Sequence, residues 1–212
     1  MRKKILPLLI LLFLTGCSKI DVDSEYKDIV NNILSFNNNN VNTASVGYKY
    51  YIPIGVNLVY DGEYNKKFKV KDTNIVLYVD IISYYYKNTL NYELDSNTNN
   101  YYYSKINDGY MVINNSGEDE YFLKIVYNYA KVEAYVKKEY LIDVISYSTI
   151  ILNSIKYNDN LISNLIENGQ YSSNEIEYEI DKPDDSESKF SQYLQEYVVE
   201  TDEEVIDILP EN

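Results

Sequence analysis

Tyr101–Lys137 reads YYYSKINDGYMVINNSGEDEYFLKIVYNYAKVEAYVK, and its periodicity decides the fold class. Residues 101–106 and 110–114 flank Asp108-Gly109, a pair suited to the left-handed backbone of a tight hairpin. Residues 115–119 supply a turn, and 121–128 and 131–137 then alternate. In the last run Val132, Ala134 and Val136 share one side, while Lys131, Glu133 and Lys137 share the other. That is the pattern of strands with one apolar and one wetted face, joined by short turns and therefore antiparallel.

The pattern extends upstream. Val46, Tyr48, Tyr50 and Ile52 alternate until Pro53 and Gly55 break the run. Residues 57–60 and 63–70 flank Asp61-Gly62, a second hairpin signal. The β-branched and aromatic run Ile75–Tyr86 reads as one central strand, followed by an asparagine-rich irregular stretch over 87–100. Downstream the period becomes helical: Leu141, Val144, Ile145, Ser148, Ile151, Leu152 and Ile155 fall on one face. A shorter stripe of Leu161, Ile162, Leu165 and Ile166 runs over 159–168 and stops at Gly169. A leading helix is expected from Ser24, capped by Asp23 or Ser24, with Tyr26, Ile29, Val30, Ile33 and Leu34 as its stripe and the asparagines 37–40 as its end. The expected fold is α+β: an antiparallel meander sheet of six or seven strands packed against helices.

The first twenty residues have a different logic. Arg2, Lys3 and Lys4 precede an apolar run from Ile5 to Leu14, too short to span a bilayer, and then Leu14-Thr-Gly-Cys17. This string resembles the lipobox of bacterial lipoproteins. The resemblance implies that Gly16 precedes the cleavage point and that Cys17 carries the lipid, so the chain meets the membrane through that residue. Each buried methylene contributes roughly 0.8 kcal/mol, so two acyl chains hold a protein firmly. The expected organisation is a signal peptide (1–16), a lipidated tether (17–23), a globular body (24–169) and an acidic linker and tail (170–212). The expected location is the outer face of the cell membrane. In a two-membrane cell, Ser18 after the cysteine would imply sorting to the outer membrane.

Composition excludes much chemistry. The net charge is −14, and removal of the leader makes it −17. Nucleic acid and anionic lipid surfaces call for a basic footprint, so nucleic acid is not an expected partner. The last forty-five residues alone, 168–212, carry fourteen acidic and two basic side chains. Cys17 is the one cysteine and there is no histidine, which removes His-based triads, thiolate nucleophiles and the common zinc motifs. Neither a cofactor nor a metal site is expected. Asp181, Asp184, Asp185 and Glu187 crowd together without the spacing or glycine of a calcium loop.

Four features remain. Asp80, inside the 75–86 run, is either a ligand-facing carboxylate or an outward residue on a half-exposed strand. Tyr84–Tyr86 and Tyr101–Tyr103 suit stacking on sugars, but consecutive strand residues point to opposite faces, so half of each cluster should pack internally. A pair of facing carboxylates would be needed for glycoside hydrolysis, and no spacing points to one. In the tail, Phe190, Tyr193, Leu194, Tyr197 and Val198 recur at helical spacing. Such a stripe either docks on an extracytoplasmic protein partner or packs back on the chain's own sheet.

The strand–helix order, with Tyr48-Lys-Tyr-Tyr-Ile-Pro-Ile-Gly55 early and Ile150-Ile-Leu-Asn-Ser-Ile-Lys156 late, resembles the PsbP-like fold, an antiparallel sheet with a covering helix near its end. The leading helix is a departure. That group includes lipoproteins and scaffolding subunits without shared catalytic residues, so the resemblance carries over no site. The anchor, the sheet domain, the acidic amphipathic tail and the missing catalytic parts together point to a binding or scaffold module that works through protein–protein contact. Cell-wall or glycan binding is the second expectation, and a carboxylate-based hydrolase the last. On detergent phase partitioning of expressing cells, the wild-type chain should enter the detergent phase and Cys17→Ser the aqueous phase; equal partitioning of the two would reject the lipid site.

Overall fold

A computed structural model describes residues 22–36, 39–88 and 100–170. Gly16, Cys17, Phe190, Tyr193, Leu194, Tyr197 and Val198 lie outside those residues, as does the acidic cluster of 181–187. In chain order the elements are α1 (Val22–Ser35), β1 (Thr43–Ser45), β2 (Tyr48–Tyr50), β3 (Val56–Asp61), β4 (Asn65–Val70), β5 (Thr73–Val79), α2 (Ile81–Tyr86), β6 (Asn100–Ile106), β7 (Gly109–Gly117), β8 (Glu120–Tyr127), β9 (Ala130–Lys137), α3 (Leu141–Ser154), β10 (Lys156–Tyr157) and α4 (Asp159–Glu167).

The fold is α+β, with seven antiparallel strands in the order β3-β4-β5-β9-β8-β7-β6. They form two meanders, β3–β5 and β6–β9, which meet where β5 pairs with β9 from Val76↔Glu133 to Val79↔Ala130. The turns at both predicted Asp-Gly pairs exist. In the second, Gly109 pairs with Ile106, and a Cβ at that position would lie 2.0 Å from the Val126 carbonyl oxygen, so only glycine allows β7 and β8 to approach there.

One sheet face is the core. Ile75, Leu77, Met111, Ile113, Leu123, Ile125, Val132 and Ala134 are fully buried and meet Val144, Ile145, Ile151 and Leu152 of α3. Each such aliphatic side chain contributes about 1.5–3 kcal/mol through burial, which makes this layer the main stabilising term. α1 packs on α3 and on β6, where the Tyr26 ring meets Tyr102 edge-on at 5.8 Å. A small sheet, β1-β2-β10, closes the same side through Tyr48 and Tyr50, whose rings are 5.9 Å apart.

Several expectations are corrected. The run 75–86 is not one strand. β5 stops at Val79, opposite the first residue of β9, because its partner ends there. Asp80 then caps α2: its Oδ1 accepts from the Ser83 amide at 2.8 Å. Asp80 is thus neither a ligand-facing nor an outward strand carboxylate, and Tyr84–Tyr86 sit on a helix. The alternating run 46–52 is interrupted by a turn at Val46-Gly47, since Ser45 pairs with Tyr48 and Gly47 has φ +84°. α1 already includes Val22, so Asp23 and Ser24 lie inside it and the end of the expected tether is helical. The α4 cap is Asn158, whose side chain accepts from the Leu161 amide at 3.1 Å. Removing the Asp80 cap as Asp80→Ala should cost about 1 kcal/mol in urea unfolding, with Asp80→Asn retaining most of it; equal losses would mean that the charge, not the cap, matters.

Candidate functional site

The most densely interacting polar corner gathers around the β8–β9 turn. Asn128 and Tyr129 both adopt left-handed backbone, φ 53° and 54°. Asparagine tolerates this, whereas a bulky tyrosine is held there against a cost of roughly 1–2 kcal/mol. Contacts from three elements hold it. The Asp80 amide donates to the Tyr129 carbonyl at 2.9 Å. The Asn128 side-chain amide donates to the Ile155 carbonyl at 3.0 Å, and the Tyr157 hydroxyl donates to the Asn128 carbonyl at 2.6 Å.

Above this turn Tyr84 and Tyr157 stack with centroids 3.8 Å apart, and Tyr129 meets Tyr84 edge-on at 5.5 Å. Lys87, at the left-handed C-terminal end of α2, places Nζ 3.5 Å from the Tyr84 centroid. A ring stacked so closely leaves no room for an ammonium on the same side, so Tyr157 and Lys87 occupy opposite faces of Tyr84. The Tyr84 hydroxyl donates to Asp159 Oδ1 at 2.6 Å. Burial, followed by this carboxylate, pushes the Tyr84 phenol up to about 12. Burial also raises Tyr157, whose neighbours Tyr48 and Asp80 add to the effect.

The Tyr84 and Tyr157 phenols are held protonated, Asp80 caps a helix and Asp159 accepts from Tyr84. Tyr84 has no free face for a sugar. What stays open is its rim: Tyr86 on α2 is 61% exposed and Leu161 on α4 is 40% exposed, and the two helices pack on each other.

Two other places were candidates. Lys66, 2% exposed, bonds Asp61 at 2.5 Å, Ser45 Oγ at 2.9 Å and the Gly62 carbonyl. Those partners account for its charge and pin the β3–β4 hairpin to the small sheet, with the ammonium buried and the Asp61 carboxylate half in solvent. The outer face of the large sheet carries Tyr78, Tyr103, Tyr110, Phe122 and Tyr135, all half-buried. At its centre Glu133 bridges Lys124 at 3.0 Å and Lys131 at 3.2 Å. No cluster of carboxylates suited to a metal ion occurs among the described residues.

Sequence reading singled out Tyr84–Tyr86 but not Tyr129 or Tyr157. The usable signal was Asn128: it stands between two alternating runs, where a two-residue hairpin needs left-handed backbone. No known family matches the chain, and no curated protein matches its sequence.

Burial gives the cluster a definite alkaline response. A phenol raised in the folded state stays protonated while its unfolded counterpart ionises from about pH 10, so the unfolded state holds fewer protons and gains. The stability contribution is complete below pH 10 and falls as pH rises through about 12 for Tyr84. Tyr48, Tyr50 and Tyr157 shift in the same direction through burial. Titration by phenolate absorbance should show one set of tyrosines ionising normally and a second only together with loss of circular dichroism; a single transition near pH 10 without unfolding would contradict this.

Proposed function

We propose that this protein is a membrane-anchored extracytoplasmic lipoprotein that works as a binding or scaffold module through protein–protein contact. The leader ending in Leu14-Thr-Gly-Cys17 supports the anchor. The observation that carries the binding role is the α2–α4 corner. Its carboxylates and both faces of its central ring are committed internally, while Tyr86 and Leu161 stand exposed on a braced frame. Exposed apolar side chains on rigid elements are what a protein partner uses as anchors. The apolar stripe of Phe190, Tyr193, Leu194, Tyr197 and Val198 offers a second contact element, in the manner of a helix laid into a groove.

Crosslinking mass spectrometry on intact cells tests this, comparing the wild type with Tyr86→Ser/Leu161→Ser and with a chain ending at Asp181. One protein should be recovered with the wild type and lost with at least one variant. An identical background of abundant surface proteins from all three would reject protein contact as the function.

A further inference from the structure

Backbone pairing sets out the outer face of the sheet row by row. Lys67, Val76, Glu133, Lys124, Val112 and Tyr103 align across six strands. Tyr78, Lys131, Val126, Tyr110 and Lys105 form the next row. None of the described helices packs on this face; their contacts with the large sheet are on the core side. Yet Val76, Val112 and Val126 are 8%, 2% and 6% exposed. Buried valines thus flank the Glu133 ion pairs at the centre of the face. The face is also basic: Lys67, Lys69, Lys105, Lys124, Lys131 and Lys137 stand against Glu120 and Glu133, an excess of four positive charges in a chain of net −14.

The sequence just past the last described residue, Gln170, has the complementary character. Residues 175–181 read EIEYEID, with Glu175, Glu177, Glu179 and Asp181 alternating with Ile176, Tyr178 and Ile180. In an extended chain this period puts four carboxylates on one side and three apolar groups on the other. Four negative charges match the excess of four positive. Seven extended residues span about 23 Å, and six strands at their usual spacing span about 24 Å. The four intervening residues, 171–174, reach about 13 Å, so the segment is held at high effective concentration near the body.

We infer that residues 175–181 of this same chain occupy the outer face of the sheet. Ile176, Tyr178 and Ile180 lie on the valine and tyrosine surface, and the outer-face lysines bend their long stems up to meet the carboxylates. The face is then an intramolecular docking site. An outside ligand for it must be an acidic, extended chain able to displace this one.

Zero-length carbodiimide crosslinking of the full chain, in an equal mixture of isotopically heavy and light protein, tests the assignment. Crosslinks should join Glu175, Glu177, Glu179 or Asp181 to Lys67, Lys69, Lys105, Lys124 or Lys131, always within one isotope class. Ile176→Ser/Tyr178→Ser/Ile180→Ser should remove most of these crosslinks while the Lys124–Glu133 crosslink, which reports an intact sheet, persists. A charge swap of Lys67→Glu and Lys131→Glu should lose them too, and Glu177→Lys with Glu179→Lys should restore coupling in that background. Formation of the Lys124–Glu133 crosslink without any from 175–181 to this face would overturn the inference. So would mixed heavy–light crosslinks, which would put a second copy on the face.

Discussion

The pairing of β5 with β9 is the constraint on which the structure depends. Without it the large sheet falls into a three-stranded and a four-stranded meander with no common face beneath α3. Four residue pairs join them, and they bring together segments more than fifty residues apart in sequence. The pairing must be in register, because a one-residue slip would set Leu77 opposite Lys131 or Glu133 and turn the apolar side of one of the two strands outward. The alternation in both strands specifies it: Val132, Ala134 and Val136 on one side leave a single arrangement that buries all three beneath α3.

The β8–β9 turn propagates that register into the rest of the molecule. It lies at the end of the β5–β9 ladder, where Val79 meets Ala130, so its backbone groups reach the start of α2 directly. Asn128 also holds the end of α3 and β10, its side chain donating to the Ile155 carbonyl and its carbonyl accepting from the Tyr157 hydroxyl. A left-handed tyrosine is a local cost, tolerated because the surrounding bonds over-determine it. The tyrosine corner follows from this bracing: α2 and β10 converge on one turn, so their rings have nowhere to go but against each other.

Much of the fold was legible because strong periodicity survives any context. The hairpins around Asp61-Gly62 and Asp108-Gly109, the alternation of β8 and β9 and the stripes of α3 and α4 were all readable. The failures have different causes. Residues 75–86 have uniform β-propensity, yet a strand needs a neighbour, and where β9 ends the hydrogen-bonding groups of residues 80–83 turn to a helix cap instead. The run 46–52 alternates faithfully while Gly47 folds it into a turn. The second is a local hairpin marked by Gly47, whereas the first belongs to long-range pairing, which local pattern does not encode. The corner was half legible for the same reason. Tyr84 stood in a visible cluster, while Tyr129 and Tyr157 reach it only through the topology.

The reliance on tyrosine has a physical consequence for the core. With no tryptophan and 26 tyrosines, rings that would elsewhere be phenylalanine bring hydroxyls inside. A buried phenol needs an acceptor, and three find a backbone carbonyl or a carboxylate: Tyr48 bonds the Glu63 carbonyl, Tyr157 the Asn128 carbonyl and Tyr84 the Asp159 carboxylate. Each bond ties together segments far apart in sequence. Tyr50 shows the other side, with its hydroxyl buried and unpaired beside Phe68. Leaving such a group unsatisfied costs about 1–3 kcal/mol, while the ring's burial returns a comparable amount. Tyr50 is thus close to neutral for stability. The paired tyrosines add specificity, since a phenol directed at one acceptor admits fewer alternative packings than an aliphatic side chain does.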